Sequence, residues 1–128
     1  MSAEIVNFSG GVLTLHMGSP VSKPDRVRTH YERLANVFGI VRPYVMFIPL
    51  YGCLWSMATC SDRLDVGALA PNQVDLRIAK RGLRDLQYYN GATHQAVFAL
   101  PNFVRDLTVG TRPAPKLVAP RRRAAAGK

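Results

Sequence analysis

Arg42-Pro43-Tyr44-Val45-Met46-Phe47-Ile48-Pro49-Leu50-Tyr51-Gly52-Cys53-Leu54-Trp55-Ser56-Met57-Ala58-Thr59-Cys60 is the most apolar run of this 128-residue chain. It holds the only tryptophan and both cysteines. Strand-forming residues fill positions 44–48 and 54–60, with a short break between them. Pro49 removes a backbone donor at the break, and Gly52 permits a turn. The pattern predicts an antiparallel β-hairpin at the centre of a core, with Tyr51 at its bend. A tyrosine there either caps the edge of the core or offers its hydroxyl to a ligand.

Upstream, residues 12–17 alternate and are rich in β-formers, so they read as a strand that Gly18-Ser19-Pro20 stops. Ligands of open α/β sheets collect at the carboxyl ends of strands, which marks this polar end. Ser22-Lys23-Pro24-Asp25 is a helix start, with proline in the first turn and an acid at the positive end of the dipole. Val27, Tyr31, Leu34, Ala35 and Phe38 follow at helical spacing, and Gly39 is expected to end the helix. His30 reads as an exposed helix residue.

Downstream, residues 61–70 read as a loop in which Asp62 and Asp65 are solvated charges. Pro71-Asn72-Gln73 opens a second helix with Val74, Ile78 and Ala79 inward and Gly82 at its end. Residues 86–91 read as an extended segment and turn, and residues 93–99 as a helical turn or two. Pro101 starts a last short helix with Phe103, Val104 and Leu107 inward. Tyr88, Phe98, Leu100 and Phe103 are expected to pack onto the sheet, and His94 to be a hydrogen-bonded packing histidine.

The order strand, helix, strand, strand, helix suggests the second half of an open α/β sheet whose last pair is antiparallel. A half-sheet leaves a strand edge and an apolar face to be covered by another chain or by an N-terminal half.

The formal charge is +9, and its placement is uneven. Residues 1–107 carry 11 basic and 8 acidic residues, whereas residues 108–128 carry 6 basic residues and no acid. The folded part is thus only mildly basic, which argues against a domain built for nucleic acid. Residues 1–107 read as one partial domain, and the proline-rich, arginine-rich residues 108–128 as a disordered basic tail. No apolar run is long enough to span a bilayer, and the start lacks a signal-peptide pattern, so a reducing cytoplasm is the expected location. Cys53 and Cys60 then read as buried thiols. No metal-ligand spacing is visible.

Tyr88-Tyr89-Asn90-Gly91-Ala92-Thr93-His94-Gln95-Ala96-Val97-Phe98-Ala99-Leu100-Pro101-Asn102-Phe103 resembles the C-terminal signature of the spermidine synthases, the polyamine aminopropyltransferases. Two further blocks agree in order. Gly11-Val12-Leu13 with Ser19-Pro20 is similar to the family's strand and Ser-Pro substrate-side loop. Ile48-Pro49-Leu50-Tyr51 followed by Trp55 is similar to its Ile-Pro-Thr-Tyr-Pro-Ser-Gly hairpin. Here the bend is a residue short, and Gly52-Cys53 stands in place of Pro-Ser-Gly.

The resemblance implies the C-terminal half of a Rossmann-like, methyltransferase-type α/β sheet with a terminal antiparallel hairpin. It implies aminopropyl transfer from decarboxylated S-adenosylmethionine to putrescine or a related amine. Tyr51 then stands where the family's tyrosine contacts the polyamine, His16 where many members have glutamine, and Trp55 where bacterial members have tryptophan. The family's glycine-rich nucleoside loop, its ribose-gripping acid and its catalytic aspartate belong upstream of Gly11. Gly10-Gly11 precedes a strand rather than following one, so it is not that loop.

With no suitable carboxylate, nucleoside loop or sulfonium cradle, the resemblance implies a truncated form without activity alone, needing no resident cofactor. Its expected partners are a polyamine, and a second copy or a complementing N-terminal half. The other reading is a non-catalytic binding module whose basic tail contacts nucleic acid or an acidic partner, with Arg121, Arg122 and Arg123 on phosphates.

Overall fold

The computed structural model describes residues 10–110. The N-terminal stretch and most of the basic tail lie outside that range. Three strands and four helices alternate as β1 (Leu13–Gly18), α1 (Pro24–Val37), β2 (Ile40–Ile48), β3 (Cys53–Ser61), α2 (Pro71–Lys80), α3 (Gly91–Val97) and α4 (Asn102–Leu107). A 3-10 turn, Val66–Ala68, precedes α2. The sheet order is β1-β3-β2, so the strand formed last in sequence lies in the middle. Both pairings are antiparallel.

The hairpin forms where its turn chemistry requires. Ile48 O accepts from the N–H groups of Tyr51 and Gly52, each at 3.0 Å. Gly52 takes a φ of +62°, which a glycine adopts without strain. The paired region reaches back to Ile40, four residues beyond the apolar run at Tyr44. Pro43 sits within it, opposite Ala58. A proline is tolerated there because β2 is an edge strand.

The principal core lies between the sheet and α1. Met17, Val27, Ala58, Cys60 and Leu107 form its buried centre, flanked by Leu15, Tyr31, Leu34, Phe38 and Val41. Val27 and Val104 are fully buried, so α1 and α4 meet the sheet and each other through small branched side chains. The opposite face is covered by α3, whose Phe98 ring lies 5.5 Å from that of Tyr44. Helices therefore flank both faces.

Several sequence expectations change. Helix α1 ends at Phe38 in an extended conformation, with its N–H donating to Leu34 O. Gly39 is not left-handed; its N–H donates to Asp62 Oδ1 at 3.0 Å. The chain turns there from α1 into β2, which runs parallel to β1. Asp62 and Asp65 are not idle solvated charges, because Asp65 accepts from Arg42 Nε at 2.9 Å. Both acids tie the loop after β3 back to the start of β2.

His30 is half-buried, and its Nδ1 is shielded without a hydrogen-bond partner among the described residues. Phe98 and Leu100 are half-buried, but Tyr88 and Phe103 are 62% and 46% exposed. Their apolar spacing is real, yet no described element covers them. Thr108, the first residue assigned to the tail, is buried and donates from its hydroxyl to Val104 O at 2.8 Å.

Candidate functional site

Strand β1 carries a bulge near its carboxyl end. His16 opposes Met57, while Gly18 rather than Met17 opposes Ser56. Met17 lies with Leu15 in the core and is 1% exposed, while His16 on the other face of the strand is exposed. The strand end is then fixed from beneath, since the buried Ser56 hydroxyl donates to Gly18 O at 2.7 Å. Ser19 is also buried, and its Oγ accepts from Ser22 N–H at 3.2 Å, holding the Ser-Pro loop against the start of α1.

Three side chains converge beside this end. Trp55 Nε1 donates to His16 Nδ1 at 2.8 Å across 39 residues of sequence. The two rings meet edge-on, with centroids 6.2 Å apart. On its other side Trp55 packs against Tyr51, with centroids 4.4 Å apart and planes tilted by 41°. Tyr51, Trp55 and His16 thus form one continuous aromatic wall running from the hairpin bend to the end of β1. Tyr51 is 46% exposed, which leaves ring surface open to a ligand.

Such a wall suits an organic cation, because aromatic faces attract ammonium groups and Tyr51 Oη is able to accept a hydrogen bond. Among the described residues no carboxylate is hydrogen-bonded to Tyr51, Trp55 or His16. Asp62, Asp65 and Asp75 hydrogen-bond to Gly39, Arg42 and Gly91, away from the wall. Among the described residues no cluster of three or more His, Cys, Asp or Glu side chains is arranged to hold a metal ion. No described helix is long and apolar enough to cross a membrane.

His94 lies elsewhere. It is buried between α3 and the 3-10 turn, with Nδ1 2.8 Å from Tyr89 Oη and Nε2 2.7 Å from Val66 O. A carbonyl only accepts, so Nε2 carries the hydrogen and the tyrosine hydroxyl donates to Nδ1. Both ring nitrogens are occupied by structural partners, so this histidine packs and staples rather than serving a ligand.

Sequence reasoning passed over Ser56. A serine among apolar strand residues, opposite a glycine-ended strand, is the signal that could have found it. The bulge at Met17 has no local signal, because it depends on which strand pairs with β1.

No protein-family model matches the chain. Curated relatives do. The chain is 45% identical over 98 residues to the polyamine aminopropyltransferase of Nitrosomonas europaea, covering 77% of this chain and 30% of that protein. It is 38% identical over 103 residues to polyamine aminopropyltransferase 2 of Hyperthermus butylicus, covering 80% and 34% respectively. Among solved structures, the spermidine synthase of Thermotoga maritima superposes with a TM-score of 0.63 at 31% identity, over 76% of this chain and 32% of that one. A spermidine synthase in complex with the transition-state analogue AdoDATO superposes with the same TM-score and identity. The chain spans about a third of the length of these relatives, in their C-terminal part.

Proposed function

Because the chain corresponds to the C-terminal part of the polyamine aminopropyltransferases, we propose that it forms the amine-side wall of an aminopropyltransferase site. Tyr51 and Trp55 would receive the cationic chain of a polyamine such as putrescine, and His16 would border it. The observation that carries this reading is the unbroken contact from Tyr51 through Trp55 to His16 beside the carboxyl end of β1. Decarboxylated S-adenosylmethionine would be the co-substrate of the complete reaction. The described residues present no carboxylate base at this wall, so the chain alone is proposed to bind amine without transferring to it.

A partial pocket of this kind should hold putrescine no better than millimolar, about 4 kcal/mol. The chain contains one tryptophan, so its fluorescence reports on the wall directly. Putrescine should change Trp55 emission saturably, and Tyr51→Ala should weaken the response several-fold. An emission unaffected by putrescine would overturn the binding reading. Incubation with decarboxylated S-adenosylmethionine and putrescine should give no spermidine. Turnover above a no-protein control, lost in Tyr51→Phe, would overturn the proposed inactivity. Turnover only on adding a separate N-terminal half would support complementation.

A further inference from the structure

We infer that Trp55 locks the neutral His16 imidazole in the tautomer protonated on Nε2, so that this corner of the wall offers a ligand an N–H donor and takes a hydrogen-bond acceptor. The inference deepens the amine-site reading and rests on it for the ligand, though not for the tautomer.

Its basis is the hydrogen inventory of two rings. The indole Nε1–H is a donor and has no acceptor capacity. It lies 2.8 Å from His16 Nδ1, so Nδ1 must contribute its lone pair. A neutral imidazole with a bare Nδ1 carries its hydrogen on Nε2. Trp55 is itself held by Tyr51 on its other side, so the indole is not free to turn its N–H elsewhere. His16 is exposed, and among the described residues no group is hydrogen-bonded to its Nε2. That N–H is therefore presented outward.

The consequence concerns the chemical class of what can bind. An alkylammonium has only N–H donors, so it finds no partner at Nε2. Its place is over the rings of Trp55 and Tyr51. The group that meets His16 has to bring a lone pair, as a hydroxyl or carboxylate oxygen does. The wall thus fits an amine that also carries an oxygen acceptor better than it fits a simple diamine. Trp55 acts in this as a positioning residue, through His16.

The test is imidazole nitrogen NMR on the full labelled chain, with putrescine and the amino alcohol of the same length as probes. Without ligand, His16 should show a protonated Nε2 and an unprotonated Nδ1. Trp55→Phe keeps a ring beside Tyr51 but removes the N–H, and should move both nitrogens to the averaged shifts of exchanging tautomers. A hydrogen on Nδ1 in the native chain, or a spectrum unchanged in Trp55→Phe, would overturn the lock. The affinity ratio of amino alcohol to putrescine should fall about fivefold in His16→Phe, which removes the N–H donor itself, the worth of one net hydrogen bond. An unchanged ratio overturns the acceptor preference. Binding of neither probe overturns that preference together with the amine-site reading, while the ligand-free spectra still decide the lock.

Discussion

Arg42 Nε and Nη2 donate side by side to Asp65 Oδ1 and Oδ2, a geometry that gives an arginine–carboxylate pair more than charge alone. The hydrogen bond from Arg42 is the main cause that holds the Asp65 carboxyl below its usual range. Its folded value lies beneath its unfolded one. The pair's contribution is therefore complete above the unfolded value of about 3.9 and is lost as the pH falls through the folded value. The side chains are 48% and 26% exposed, so solvent screens the pair and its worth is at most about 1 kcal/mol. Asp65→Asn should lower stability by that amount at neutral pH in urea titrations, and the difference should vanish in acid. The two thiols make a second residue-scale contrast. Burial pushes Cys60 up to about 11 and leaves it 1% exposed, whereas Cys53 is half-buried at the start of β3. A thiol reagent should label Cys53 in the native chain and reach Cys60 only after denaturant is added.

Helices α2 and α3 touch at a point where only glycine fits. A Cβ on Gly91 would collide with the Pro71 carbonyl, and the Gly91 N–H donates to Asp75 Oδ1 at 2.7 Å. Gly91→Ala should therefore cost about 1–3 kcal/mol by overpacking, although alanine is the better helix former, and thermal unfolding will read it. Phe98 packs between Tyr44 and His94 but is only half-buried. Phe98→Ala should cost about 2 kcal/mol, below the 3–5 of a fully buried ring. The hairpin and the four helices were legible because their signals are local: Pro49, Gly52, Pro24 and the 3.6-residue spacings. Tyr51 and Trp55 were legible as neighbours on one hairpin. The indole–imidazole bond was not, because it depends on β1 lying beside β3, which no periodicity states. Asp62 and Asp65 were misread for the same reason, since their partners lie 23 residues upstream. Tyr88 and Phe103 show the limit of spacing, which marks an apolar face without saying what covers it.

At the scale of the whole molecule, β1 pairs only with β3 among the described residues, which leave its outer edge uncovered. Val12 and Leu13 beside that edge are exposed, as are Phe47 and Leu50 at the hairpin end. Open edges with apolar neighbours invite pairing between copies. The chain should self-associate with rising concentration in sedimentation velocity, and Thr14→Lys should shift it toward monomer. The middle position of β3 also sets a timetable. The β2–β3 ribbon needs only a four-residue turn, from Pro49 to Gly52, and closes by itself. Joining Gly18 to Ser56 closes a sequence separation of 38 residues, which costs more chain entropy and comes later. During synthesis β1 and α1 leave the ribosome before β3, the strand that β1 pairs with among the described residues. Strand β1, made before β3, is thus seated only after it.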